Sequence, residues 1–189
     1  MYKSVLADAS FQKQLLECDR DLAAKARAQG CRCGGALHAG PYQRKPRGVP
    51  TGLGEDYSRR FSFSCAVDGC RKRETPSSFR FLGAKVYVST LVILLTVLQQ
   101  GPTEARLQRL SAIPGVDRRT LRRWREWWLT RFQESRFWQE AKAMFMPPAD
   151  PARIPSALLD RFTGSPQERL LALLRLLLPI TGGAAVQAI

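Results

Sequence analysis

Two tight cysteine pairs constrain this chain more than any other feature. Cys31-Arg32-Cys33-Gly34-Gly35 and Cys65-Ala66-Val67-Asp68-Gly69-Cys70 each set two sulfurs within one turn, with glycine where the backbone must bend sharply. Brought together by antiparallel strands, two such turns offer four thiolates tetrahedrally to one structural zinc ion at ~2.3 Å. In a unit this small, metal binding contributes on the order of 10 kcal/mol or more of the folding free energy. His38, shortly past Cys33, is the alternative ligand if the Cys31-x-Cys33 turn is too tight for both sulfurs. Cys18 falls in a helical stretch and reads as a small core residue. Neither pair has the Cys-x-x-Cys spacing of a redox site. Residues Met1 to Asp8 also lack the charged start and apolar run of a secretory signal, so the thiols are expected reduced, in a soluble intracellular protein.

The rest of the chain divides around this frame. Residues 8–29 read as a helix: Asp8 or Ser10 caps it, Phe11, Leu15, Leu16, Leu22 and Ala23 recur at helical spacing, and Gly30 stops it. From Gly34 to Pro76 glycines, prolines and the alternating Arg60-Phe61-Ser62-Phe63-Ser64 point to short strands and turns. The helical pattern returns near Gly83 and holds to Met146. Gly101-Pro102 and Pro114-Gly115 divide it into helices at 85–100, 103–112 and 117 to about 132, the last capped by Asp117. A proline-rich linker follows, then a helix opened by the capping box Ser165-Pro166-Gln167-Glu168. The expected fold is mainly α with a small β zinc ribbon. It comprises an N-terminal helix at 1–30, a zinc ribbon at 31–82, a helix-turn-helix DNA-binding region at 83–146, and a linker with leucine-rich C-terminal helices at 147–189.

Thirty Lys and Arg against sixteen Asp and Glu give a formal charge of +14, which favours a polyanionic partner. On the third helix of the bundle Leu121, Trp124, Trp128 and Phe132 form one apolar stripe, with Trp127 at its edge. The opposite face gathers Arg118, Arg119, Arg122 and Arg123 near the N-terminus, where a recognition helix contacts bases. An arginine paired bidentately with guanine there is worth about 1–3 kcal/mol of discrimination. The ribbon carries its own cations: Arg44, Lys45 and Arg47 between the pairs, and Arg71, Lys72 and Arg73 after the second. With Arg59 and Arg60 they would cluster and grip phosphates without reading sequence. Double-stranded DNA is the expected partner, with structured RNA as the alternative.

No persuasive pair of acids for general acid–base catalysis is present, so no enzyme activity is expected. The longest apolar stretch, 86–98, falls well short of the roughly 20 residues a membrane span needs. Leu170, Leu171, Leu173, Leu174, Leu176, Leu177 and Leu178 make the last helix apolar nearly all round. It must be covered by the chain's own core or by a homodimer or protein-partner seam. A scaffold that docks a larger enzyme through these leucines and the tryptophans is a further reading.

In its order of parts the chain resembles the zinc-ribbon plus helix-turn-helix proteins and transposase N-termini of bacterial insertion sequences. The matching residues are Cys31-x-Cys33-Gly34-Gly35, Arg59-Arg60-Phe61-Ser62-Phe63-Ser64-Cys65, Cys70-Arg71-Lys72-Arg73 and Gly115-Val116-Asp117-Arg118-Arg119-Thr120-Leu121-Arg122-Arg123-Trp124. The resemblance covers roughly residues 31–130 and departs in the spacing of both pairs, where Cys-x2-Cys is usual. It implies an accessory or regulatory factor of a mobile element that binds element DNA and recruits or regulates a transposase or other partner enzyme. It also implies a bacterial cytoplasmic, nucleoid-associated location. The residues after the third helix are too few for a transposase's nuclease fold, so the resemblance implies a reader of DNA and not the catalyst.

Overall fold

A computed structural model describes residues 2–44, 52–82, 86–87, 92 and 118–182. These are mainly helical, with small antiparallel sheets. The chain opens with helix α1 (Tyr2–Ala7) and the long α2 (Ala9–Gln29). Asp8 caps α2: its carboxylate accepts from the Ser10 N–H at 2.8 Å, the Ser10 hydroxyl at 2.7 Å and the Phe11 N–H at 3.4 Å. Gly30 ends it at φ +72°, with its N–H donated to the Arg27 carbonyl.

At ~1.5 Å per residue α2 is about 30 Å long, and its buried side chains feed three separate apolar clusters. Phe11 and Leu15 enter the main helical core. Leu16 packs with Tyr57 and Phe81. Ala23 reaches the cysteine region, against Leu37, Phe63 and Cys65. One helix thereby contributes to all three clusters.

The middle of the chain is built from short strands: β1 (Leu37–Ala39), β2 (Tyr42–Gln43), β3 (Arg59–Arg60), β4 (Phe63–Cys65) and β5 (Arg73–Glu74). A single-turn helix, α3 (Glu55–Ser58), precedes β3. Strand β4 is central to a three-stranded sheet ordered β1-β4-β5, and β2 pairs with β3. The register sets Leu37 opposite Cys65 and Ala39 opposite Phe63. A third pairing joins β6 (Phe81–Leu82) to β7 (Val86–Tyr87). This corrects the helix expected from Lys85, because Val86 and Tyr87 are strand. A β-branched and an aromatic residue favour that pleated pairing. Val92 is helical and fully buried. The second helix of the expected helix-turn-helix, its turn at 113–116 and the Asp117 cap lie outside the described residues.

Helix α4 (Arg118–Leu129) is the expected third helix, but it ends before Phe132. Thr130 leaves helical dihedrals, its hydroxyl donated back to the Glu126 carbonyl at 2.7 Å. The short α5 (Arg131–Glu134) and α6 (Arg136–Ala141) follow, with Ser135 capping α6. The break serves packing. In one straight helix Phe132 and Trp138 would point about 120° apart, whereas here their rings meet at 5.3 Å and both are buried. Trp128 joins them, its ring centroid 4.4 Å from that of Phe132.

The chain then forms α7 (Ser156–Leu159) and α8 (Pro166–Leu177). The expected capping box is present: Ser165 accepts from the Glu168 N–H, and the Glu168 carboxylate accepts from the Ser165 N–H at 2.7 Å. Leu170, Leu173, Leu174 and Leu177 are buried, while Leu171, Leu176 and Leu178 are half-buried against the same cluster. Their cover comes from within the chain: Val5, Phe11, Leu15, Trp128, Ile154 and Leu158 share that core. Among the described residues no helix is long and apolar enough to cross a membrane.

Candidate metal centre and basic surface

The two cysteine turns face one another. The Cys31 N–H donates to the Gly35 carbonyl at 2.9 Å, and Gly34 closes back on the Cys31 carbonyl at 2.8 Å. In the second turn the N–H groups of Cys70 and Arg71 both reach the Val67 carbonyl. Gly34 and Gly69 each stand at φ +84°, where a side chain would be strained. A bond from the Ala66 N–H to the Ala36 carbonyl at 2.9 Å stitches the turns together beside the β1–β4 pairing.

Four sulfurs converge as a result. Cys33 Sγ lies 3.4 Å from Cys65 Sγ, Cys31 Sγ lies 3.8 Å from Cys70 Sγ, and all four fall within 4.8 Å of one another. Thiolates held tetrahedrally at ~2.3 Å from a zinc ion stand about 3.8 Å apart, and the observed separations bracket that edge. Cys31, Cys33, Cys65 and Cys70 are thus close enough to hold a metal ion. Gly35 shows how closely the site is packed: a Cβ there would lie 2.8 Å from Cys65 Sγ and 2.5 Å from Val67 Cγ2. His38 is exposed on β1, opposite Ser64, and does not belong to the sulfur group. Cys18 is half-buried at the edge of the main core, as a packing residue.

The electrostatics of the quartet favour a cation. The Val67 N–H, 3.4 Å from Cys65 Sγ, favours the thiolate. Burial and the thiols of Cys33, Cys31 and Cys70 outweigh it and push the Cys65 thiol up to about 12. Without a cation Cys65 holds its proton, and a divalent ion that binds there must displace it.

The expected basic residues separate into those engaged by the fold and those left free. Arg60, expected in the phosphate-gripping cluster, is instead 1% exposed. Its guanidinium donates to the carbonyls of Pro76 and Thr181, and burial draws its pKa down. Strand alternation is the reason: Arg60 points inward where Arg59 points out. Arg59 lies 3.5 Å from Asp56, and Arg71 pairs with Asp68 at 2.6 Å. Lys72 is exposed, and Arg73 is tied to Ser62 and Gly40. Arg44 is half-buried, and Lys45 and Arg47 lie outside the described residues.

On α4 Leu121 and Trp128 are buried, and Trp124 and Trp127 pack against the main core. Arg119, Arg122, Arg123 and Arg125 are exposed, and none forms an ion pair among the described residues. Arg118 begins the helix. The sequence reading missed a buried pair that fixes the neighbouring segment to α2. The Asp19 carboxylate accepts from Arg80 Nε at 2.8 Å and from the Phe79 N–H at 2.6 Å, and Ser78 donates to it as well. Arg80 also donates to the carbonyls of Tyr57, Arg59 and Asp56. A carboxylate on the apolar stripe of α2, one turn before Ala23, was its one sequence signal. Comparison of the chain with protein-family models, with curated proteins and with solved structures finds no match.

Proposed function

We propose that this chain is a zinc-dependent DNA-binding protein in which Cys31, Cys33, Cys65 and Cys70 hold one structural zinc ion and α4 presents arginines to the duplex. The zinc adds a cross-link between two turns that the Ala66–Ala36 hydrogen bond and the β1–β4 pairing bring together. The observation that carries the nucleic-acid reading is the arginine face of α4. Arg119, Arg122 and Arg123 are exposed and, among the described residues, unpaired with acid, on a helix whose opposite face is locked into the core by Leu121 and Trp128. An ordinary solvated helix of this charge intersperses acids with its bases. A rigid row of free guanidiniums near a helix start suits both phosphate contact and guanine edges. In keeping with the resemblance to insertion-sequence proteins, the role proposed is that of an accessory factor, with the chemistry left to a partner enzyme.

Selection of bound sequences from random duplex DNA, repeated at two salt concentrations, tests this. Enrichment of a common site is expected, and Arg122→Ala with Arg123→Ala should remove about 1–3 kcal/mol of discrimination for each guanine that these arginines read. An unenriched pool, or a double variant that selects the wild-type site, contradicts it.

A further inference from the structure

Among the described residues five arginines are buried or half-buried: Arg44, Arg60, Arg80, Arg161 and Arg169. Four donate side-chain hydrogen bonds within the chain: Arg60 and Arg161 to carbonyls, Arg80 to Asp19 and carbonyls, Arg169 to Asp160 and a carbonyl. Arg44 is the exception. Its Nε is buried with no hydrogen-bond partner, as is that of Arg60, but Arg60 is held through Nη2, whereas Arg44 donates no side-chain hydrogen bond and meets no carboxylate among the described residues. A buried cationic donor left unmatched is unfavourable, and a bound anion relieves it.

The surroundings of Arg44 define which anion. Its guanidinium carbon lies 4.1 Å from the ring centroid of Tyr42, and that of Arg73 lies 4.9 Å from the same ring. Arg73 is held in place: Nε donates to Ser62 Oγ at 2.6 Å and Nη2 to the Gly40 carbonyl at 2.9 Å, and Nη1 has no partner among the described residues. Two guanidiniums over one ring, one fixed by hydrogen bonds and neither neutralised by a described acid, concentrate positive charge around Tyr42, Arg44 following β2 and Arg73 reaching in from β5. Planar forks of N–H donors match the oxygens of a phosphate group.

We propose that Arg44 and Arg73, positioned by Tyr42, clamp one phosphodiester of a nucleic-acid backbone, a contact separate from the α4 face. The inference rests on the nucleic-acid reading above. It makes Arg44 and Arg73 the working phosphate ligands of the cysteine region, while Arg59, Arg60 and Arg71 serve the fold. Such a contact adds affinity and salt dependence without sequence preference.

The test is fluorescence anisotropy of the full zinc-loaded chain on labelled duplexes of differing sequence and on a structured RNA, across a salt series, for wild type, Arg44→Ala, Arg44→Lys and Arg122→Ala. Arg44→Ala should weaken binding by the same factor on every duplex and lower the log–log salt slope by about 0.9, the value of one released phosphate contact. Arg44→Lys should restore the slope. Unchanged zinc content and thermal midpoint would show that the fold is intact. The same slope change on RNA but not on duplexes supports the clamp with RNA as the source of the phosphodiester. A wild-type slope for Arg44→Ala, alongside weakened Arg122→Ala, overturns the clamp and leaves the nucleic-acid reading standing. A wild-type chain that binds neither duplex nor RNA overturns both.

Discussion

Residues 31–74 and 118–180 differ first in how much apolar surface they bury. The helical body contributes Leu121, Trp128, Phe132, Trp138, Ile154, Leu158 and the leucines of α8 to buried packing. The cysteine region buries Leu37, Phe63 and Cys65 against Ala23, along strands of two or three residues, and Tyr57 against Leu16 and Phe81. A fully buried Leu or Phe is worth about 1.5–3 kcal/mol relative to an exposed one, so burial holds the body more strongly than the cysteine region. The sulfur quartet sits beside the smaller of these two sets of buried apolar residues. The body buries Leu121 and Trp128 of α4, and the quartet lies beside β1 and β4.

Removing the sulfurs breaks this comparison most severely. Cys33→Ser with Cys70→Ser should abolish zinc uptake, measured by elemental analysis, and cost the cysteine region on the order of 10 kcal/mol of metal-linked folding free energy. Far-UV circular dichroism should retain most of its helical signal, since α4 and α8 take no part in the site. Zinc loading should also weaken as pH falls, because protons compete for the thiolates that the metal requires.

Next come substitutions in the body and at its seam with the cysteine region. Asp19→Ala leaves Arg80, fully buried, without its acid. Denaturant unfolding should register a destabilisation of about 3–5 kcal/mol. Leu173→Ala, at a fully buried site in α8, should cost about 2–5 kcal/mol while the protein keeps stoichiometric zinc. Zinc release from Leu173→Ala would mean that the two regions are less independent than their packing indicates.

Finer changes sharpen the contrast. Gly35→Ala crowds Cys65 Sγ and Val67 and should weaken zinc affinity by on the order of 10-fold, the size of effect expected when the surroundings of a metal ligand are disturbed, read by competition with a chelating dye. The smallest effect is on two helix caps, those of α2 and α8. Hydrogen bonds from Ser10 to Asp8, and from Ser165 to Glu168, hold both carboxylates below their usual range. A depressed carboxylate stabilises the fold above its unfolded pKa, and that contribution fades as pH falls through the folded value. Thermal midpoints should therefore decline slightly below about pH 4, and Asp8→Asn should blunt the decline.

Local signals carried much of this architecture in plain sight. The Asp8 cap, the Gly30 stop and the Ser165–Glu168 box are rules spanning three or four residues, and each holds. The convergence of the quartet was legible because both close sulfur pairs, with glycine beside them, sit in tight turns flanking paired strands. What could not be read depends on distant partners. Arg60 looks like one more surface cation until Pro76 and Thr181, the latter 121 residues away, turn carbonyls toward it. Arg80 is inward because Asp19 meets it across 61 residues. The end of α4 at Leu129 carries no glycine or proline; the demand that Phe132 and Trp138 share one core sets it. Val86 and Tyr87 were absorbed into an apolar run whose periodicity does not distinguish strand from helix.

Amide hydrogen exchange of the zinc-loaded protein, compared before and after chelation, tests the central claim most directly. Protection across Cys31–Cys33, Leu37–Ala39 and Phe63–Cys65 should disappear on chelation, while Pro166–Leu177 and the buried turns of Arg118–Leu129 stay protected. Protection unchanged everywhere would contradict a metal-held cysteine region, and its disappearance throughout would contradict a helical body that stands on its own packing.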